Sequence, residues 1–203
     1  WLRKYDNLII NKKLVAPNQL WVSDITYVKI NKDEVAHLYL ITDAYSQKIV
    51  GWHVSLDLKA DSAITALKMA IKDNKDSIQE LIHHSDRGVQ YCSSKYVQIL
   101  QNREIQISMT NPGSPQENAI AERINGILKQ EWLYELKLDS IENAQREIKQ
   151  IIKIYNTYRP HISLNNKAPN DVHSGRFSRH VTERVIGKMY EYKKRHPKQG
   201  VST

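Results

Sequence analysis

The 203-residue chain is 40% apolar, carries a formal net charge of +8 and contains a single cysteine, Cys92. That content can bury one main core, while the cysteine count rules out an internal disulfide and the usual Cys-rich zinc modules. No apolar run approaches the roughly 18 residues of a transmembrane helix, and no basic-then-apolar signal pattern opens the chain. A soluble protein of a reducing, cytoplasmic compartment is therefore expected, with no membrane partner. The start at Trp1 rather than Met points to a fragment of a longer protein.

The positive charge is placed unevenly. Residues 1–19 carry Arg3, Lys4, Lys12 and Lys13 against Asp6, residues 171–203 carry eight basic and three acidic side chains, and the middle is neutral. Two basic flanks around a neutral core suit arms that grip a polyanion, though short basic tails are also common as solvated ends. The expected organisation is a basic linker over 1–17, a core over 18–170 and a basic extension over 171–203.

In chain order, residues 20–30 alternate so that Leu20, Val22, Val28 and Ile30 share one strand face. Asp24 falls on that same face, where an acid breaks the pattern. Residues 37–42 and 48–54 read as two further strands joined at Asp43-Ala-Tyr-Ser, which completes a three-stranded antiparallel meander. Ala63, Ile64, Leu67, Ala70 and Ile71 then recur at helical spacing behind Asp61 and Ser62, either of which could cap the helix. Residues 81–83 form a short strand leading to Asp86, residues 93–100 a helix and residues 104–108 a strand. Asn111, Pro112 and Gly113 break the chain before a long helix. This order predicts an α/β, ribonuclease H-like domain: a five-stranded mixed sheet, three antiparallel strands first, flanked by helices.

The start of the long helix reads as a capping box, with Ser114 as cap, Pro115 at the first helical position and Glu117 at the third. Five residues at about 100° each turn Glu117 roughly 140° away from Glu122, so only one of them faces a common site. Glu122 and Lys129, seven apart, share a stripe about 10 Å long with Asn118, Asn125 and Gly126 nearby. The loop over 111–115, with Gly113 between two prolines, is expected to act as a flap that orders on DNA.

Asp24, Asp86 and Glu122, with 35 residues between the last two, suit phosphodiester chemistry. Two Mg²⁺ ions about 3.5–4 Å apart can deprotonate a nucleophile and stabilise the leaving 3′ oxygen, and Mg²⁺ takes hard oxygen ligands. Asp24 would bridge both ions, while Asp86 and Glu122 would each complete one. Taken singly, an Asp after a strand is commonly a turn or cap residue and a helical Glu is commonly solvated. Together, in this order of elements, they indicate DNA strand cutting and joining. His84 reads as a packing or supporting residue, because imidazole does not suit Mg²⁺. Trp21, Trp52 and Trp132 read as core, and Pro160 as a helix terminator with Arg159 and His161 pinning the loop behind it.

Trp21-Val-Ser-Asp24-Ile-Thr-Tyr27, Ile49-Val-Gly-Trp52, His84-Ser-Asp86-Arg-Gly88 with Gln90 and Tyr91, Asn118-Ala-Ile-Ala-Glu122-Arg, and Tyr155-Asn156 with Arg159-Pro-His161 form a recognisable set. Over residues 18–170 the chain resembles the catalytic region of insertion sequence three family bacterial transposases, within the retroviral integrase superfamily. The resemblance implies an Asp-Asp-Glu triad on Asp24, Asp86 and Glu122, two Mg²⁺ or Mn²⁺ ions per active site, and no covalent enzyme intermediate. It also implies DNA partners (element terminal repeats and target DNA), a homo-oligomer on DNA, and work at the bacterial nucleoid. Lys129 falls where that family places a basic residue implicated in end binding; Asn118, Arg87, Gln116 and Arg123 are the other residues expected to touch DNA. Family members usually carry helix-turn-helix segments upstream of this region. Two other readings use the same residues: a ribonuclease H-like nuclease that cuts without joining, and a domesticated, non-catalytic DNA-binding protein. The 35-residue interval and Lys129 speak against the first, and the intact acids against the second.

Overall fold

Alternating apolar residues form β1 over Leu20–Lys29, β2 over Val35–Asp43 and β3 over Ile49–Ser55. They pair antiparallel as the meander requires. In the computed structural model, which describes residues 4–75 and 77–175, β4 (Ile82–Ser85) then lies parallel to β1 and β5 (Gln106–Met109) parallel to β4. The sheet order is β3-β2-β1-β4-β5, the mixed five-stranded sheet expected from the sequence. Most of the basic extension, from residue 176 onward, lies outside the described residues. Among those described, no helix is long and apolar enough to cross a membrane.

Period-2 patterning gives the sheet two apolar faces, each covered by helices. On one face Trp21, Tyr39 and Ile41 pack against α1 (Ala60–Asn74) and α2 (Ser94–Gln101). On the other, Val28, Leu38 and Leu40 meet Ile124 and Leu128 of α3 (Ala119–Glu131) and Ile148 and Ile151 of α4 (Ile141–Tyr158). Ala121, one turn earlier on α3, packs with Leu20 and Val22. Helix α3 therefore runs along β1 in the strand's own direction. A short α5 (Pro169–His173) closes the described chain. Trp21 and Trp132 are fully buried and Trp52 partly so, as core residues.

Two helices carry serine caps, and the two caps expected from the sequence, at Asp61 or Ser62 and at Ser114, do not form. Ser93 and Ser140 accept the backbone N–H groups of Tyr96 and Asn143 at the starts of α2 and α4. Helix α1 instead begins at Ala60 behind Lys59, without a side-chain cap. Its Ser62 hydroxyl donates to Asp57 at 3.0 Å, because Asp57 in the preceding turn is the stronger acceptor. The expected box at Ser114 is likewise absent: residues Pro115–Asn118 form a 3-10 turn without a side-chain cap, and α3 starts only at Ala119. At the other end of the core, α4 stops at Tyr158 before Pro160, and Arg159 turns back to Glu131 at 2.9 Å. The buried His161 stacks edge-on against Tyr155 with ring centroids 5.1 Å apart.

Two details fix the end of the sheet formed by the β2–β3 turn. Asp43 is wholly buried, yet its carboxylate accepts the Asn18 N–H at 2.7 Å, the Ser46 N–H at 2.8 Å and the Ser46 hydroxyl at 2.6 Å. Its charge is held by donors rather than by water. Gly51 lets α1 lie directly on β3, since a Cβ there would sit 2.3 Å from the Ala66 carbonyl oxygen and 2.8 Å from the Ala70 Cβ. Both contacts belong to a rigid helix, so Gly51→Ala is expected to cost about 3 kcal/mol by forced overpacking. Urea unfolding of the variant against the parent checks this, the expected result being a lower midpoint at unchanged slope.

Candidate active site

Parallel pairing of β1 with β4 matches Val22 to His84 and Ser23 to Ser85. Asp24 and Asp86 come one step further along that register, on chains about 4.8 Å apart and directed to the same face. This is the face covered by α3, which supplies Glu122 from its first turn. Asp24 is half-buried, while Asp86 and Glu122 are exposed. Burial first, then the neighbouring charges of Asp86 and Glu122, push the Asp24 carboxyl up from 3.8 to about 6, against hydrogen bonds from the Ile25 backbone and Asn125 that favour the anion. Among the described residues none of the three acids takes part in an ion pair.

Each aspartate accepts a hydrogen bond from a close neighbour. Asn125 donates to Asp24 Oδ2 at 2.6 Å. The Gly88 backbone N–H donates to Asp86 Oδ1 at 2.9 Å, and a Cβ on Gly88 would come within 2.9 Å of that same oxygen. A side chain on Gly88 would therefore press the Asp86 carboxylate out of its present position.

Among the described residues no three His, Cys, Asp or Glu side chains already converge as a metal cage. The donor set nevertheless fits a hard divalent cation. Three carboxylates supply only oxygen, each has lone pairs beyond those engaged by Asn125 and Gly88, and their mutual repulsion lacks a cationic partner.

The surroundings of the acids are built from uncharged groups. His83 is fully buried and bonded through Nε2 to both the Ser23 hydroxyl, at 2.7 Å, and the Tyr96 hydroxyl, at 2.9 Å. Burial holds its pKa down at about 3, so it stays neutral and ties β1, β4 and α2 together. His84 bonds through Nδ1 to Ser108 at 2.9 Å, and burial lowers its pKa to about 4. It acts in packing, as its chemistry suggested.

The residues expected at DNA divide by exposure. Gln116 and Arg123 are exposed near the start of α3. Arg87 spends its Nε–H on the Thr110 carbonyl at 2.7 Å, which joins the Asp86 loop to the end of β5. Asn118 is buried, and its amide donates to the Ser23 carbonyl at 3.0 Å, facing the sheet and not solvent. Lys129, half-buried, lies two turns beyond Glu122 on α3. Asn125, near the Glu122 stripe, has a role that the sequence reading does not assign: it holds Asp24, and its place seven residues from Asn118 on the side of α3 toward β1 is the signal for it.

Glu117 does not compete for the site, for a reason other than helical rotation. Its carboxylate accepts the Asn111 N–H at 2.6 Å, the Asn111 side-chain amide at 3.0 Å and the Asn7 side-chain amide at 2.7 Å. These bonds, led by the Asn111 backbone, hold its carboxyl below the usual range. They also fix the base of the loop expected to act as a flap and moor it to the N-terminal segment, whose Leu8 N–H donates to Ser108. At the loop tip Gly113 has φ +74° and no atom within 4 Å of where a Cβ would sit.

Two outcomes follow for the metal-free chain. The folded state holds the Asp24 proton more tightly than the unfolded chain does. Its favourable contribution is therefore lost as pH rises from about 4 through about 6, leaving a deficit on the order of 2–3 kcal/mol above that. Asp24→Asn is expected to raise the urea midpoint at pH 8 in EDTA, with the gain vanishing near pH 4. Glu117→Ala removes the acceptor for three donors, so limited proteolysis at residues 112–114 should accelerate several-fold while the circular dichroism of the core stays unchanged.

Two models described as "Integrase core domain" match residues 15–115 and 103–169, together spanning most of the chain. The transposase for insertion sequence element IS904 of Lactococcus lactis is 34% identical over 160 residues, 78% of this chain and 62% of that protein. Transposase InsF for insertion sequence IS3A of Escherichia coli is 33% identical over 147 residues, 72% of this chain and 50% of that protein. The chain thus spans half to three-fifths of these relatives' length. In structure it resembles a chain of the simian T-cell lymphotropic virus intasome (TM-score 0.67, 20% identity, 89% of this chain and 61% of the other). It also resembles the HTLV-2 integrase catalytic core solved with magnesium (TM-score 0.62, 20% identity, 79% and 99%). The fold, the acids and these matches agree: the chain belongs to the integrase core domain family and groups there with insertion-sequence transposases.

Proposed function

We propose that this chain is the catalytic portion of a transposase that cuts DNA at the 3′ ends of an insertion sequence and joins those ends to target DNA. The observation that carries the reading is the crowding of Asp86 and Glu122 on a half-buried Asp24, with none of the three in an ion pair among the described residues. Asp24, Asp86 and Glu122 would hold Mg²⁺ or Mn²⁺, two ions per site, in keeping with the magnesium in the HTLV-2 core. The chemistry such ions would supply there is Lewis acidity, for activating a water or 3′ hydroxyl and for stabilising the departing oxygen.

The chain's own residues do the positioning. Asn125 fixes the rotamer of Asp24, the Gly88 N–H fixes Asp86, and the neutral His83 bond to Ser23 holds the two strands in register. Arg123 and Gln116, exposed at the start of α3, stand ready for the backbone of the bound DNA. Two element ends must meet for joining, so the working form is a homo-oligomer on DNA, in the bacterial cytoplasm at the nucleoid.

Asp24→Ala, Asp86→Ala and Glu122→Ala should each lower cleavage and strand transfer at least about a thousandfold, the scale seen when charge-stabilising groups leave an active site. Labelled element-end oligonucleotides with Mg²⁺, followed on sequencing gels, measure both steps. Full activity in any of the three variants would falsify the assignment. Cutting without joining by the parent would identify a nuclease instead.

A further inference from the structure

Helix α3 has no side-chain cap, and the 3-10 turn that leads into it over Pro115–Asn118 has none either. The Asn118 amide nitrogen is spent on the Ser23 carbonyl, so the entry to the helix rests on backbone bonds, among them the Ala119 N–H to the Gln116 carbonyl. Short 3-10 pieces are weakly held by such bonds alone. Glu122 stands in the first helical turn beyond. Its place therefore depends on whatever else holds this entry.

The N-terminal segment holds it. Exposure alternates over residues 4–10, with Tyr5, Asn7 and Ile9 turned inward, so the chain lies extended against the domain. Asn7 Nδ2 donates to Glu117 Oε2 in the 3-10 turn at 2.7 Å, and the other two donors to that carboxylate both belong to Asn111. Asn7 Oδ1 meanwhile accepts the Ile9 N–H at 3.0 Å, which fixes the amide with its nitrogen toward Glu117. Ile9 and Leu14 join Ile120 and Ala121, at the start of α3, in one apolar cluster. The same segment reaches the support of the second exposed acid. Its Leu8 N–H donates to the Ser108 hydroxyl at 2.9 Å, and Ser108 bonds His84, which precedes Asp86 by two residues.

We propose that Asn7 is a positioning residue for the reaction and that the segment carrying it is a detachable brace. Seated, the brace supplies the hold that a capping box at Ser114 would have given, and it keeps the 3-10 turn, the first turn of α3 and Glu122 in place. Lifted, it frees the turn together with the loop over 111–115, and Glu122 leaves its position beside Asp24 and Asp86. The proposal rests on the reading of Glu122 as a catalytic acid. It makes the geometry of the site depend on how the chain enters the domain.

Asn7→Asp is the decisive variant, because it keeps the shape and the acceptor for the Ile9 N–H while it removes the donor and sets a second carboxylate against Glu117. Hydrogen–deuterium exchange in EDTA, followed on peptides covering residues 111–123, is expected to accelerate at least about fivefold, with β1 and α4 exchanging as in the parent. In a Glu117→Ala background the same substitution is expected to add nothing, since the group through which Asn7 acts is gone. Ile10→Ser, on the outward side of the segment, should exchange like the parent. With Mg²⁺ and element-end DNA, Asn7→Asp is expected to lower kcat for cleavage about tenfold at unchanged KM, the result of a displaced catalytic group. Parent-like exchange in Asn7→Asp, equal acceleration with and without Glu117, or acceleration spread over the whole domain would each overturn the proposal. Faster local exchange beside parent-like kcat would overturn the positioning role of Asn7. If the parent itself neither cuts nor joins DNA, the proposed reaction falls, and the exchange measurements, which need no metal, still decide for or against the brace.

Discussion

Four residues of parallel pairing between β1 and β4 govern the rest of the molecule. They carry Asp24 and Asp86 to adjacent positions one step beyond the paired region, and they leave the remaining half of β1 free on that side. Register is the sensitive quantity, since a slip of one residue would send Asp24 to the opposite face of the sheet. The lock on that register is a buried polar one: His83 takes both Ser23 and Tyr96 on a single nitrogen. Kept neutral by burial, it holds the strands without adding a charge near three acids.

The antiparallel meander and the five-stranded mixed sheet could be read in advance because the strands rest on a local period. Asp24 interrupts an alternating face, and Glu122 and Lys129 lie seven apart on one helix, although that helix starts at Ala119 and not at Pro115. Features that depend on distant partners were not readable. Glu117 looks like a capping residue in its own neighbourhood, yet it is claimed by Asn111 and by Asn7 from the far N-terminus. Asn118 looks like an exposed polar residue until the chain brings the Ser23 carbonyl to its amide. Gly51 carried no hint of its role, because the atoms that forbid a side chain there belong to α1.

The same limit applies to the lysines. By sequence, Lys29 and Lys32 are a hairpin's solvated charges and Lys137 a loop's, each unremarkable alone. Only the fold brings them beside Lys129 around one groove. Net charge along the chain directs attention to the two ends, whereas the fold gathers positive charge in its neutral middle as well.

Asp43 gives the molecule an internal comparison. It lies on β2 opposite Trp21, three residue pairs from Asp24, is more deeply buried than Asp24, and carries the same side chain. Three close donors surround it, so the protein itself completes its electrostatic environment. Asp24 has one side-chain donor and two repelling neighbours. The same sheet therefore completes the charge environment of one aspartate and leaves that of another open three residue pairs away, so depth of burial alone does not decide how an acid is accommodated in this fold.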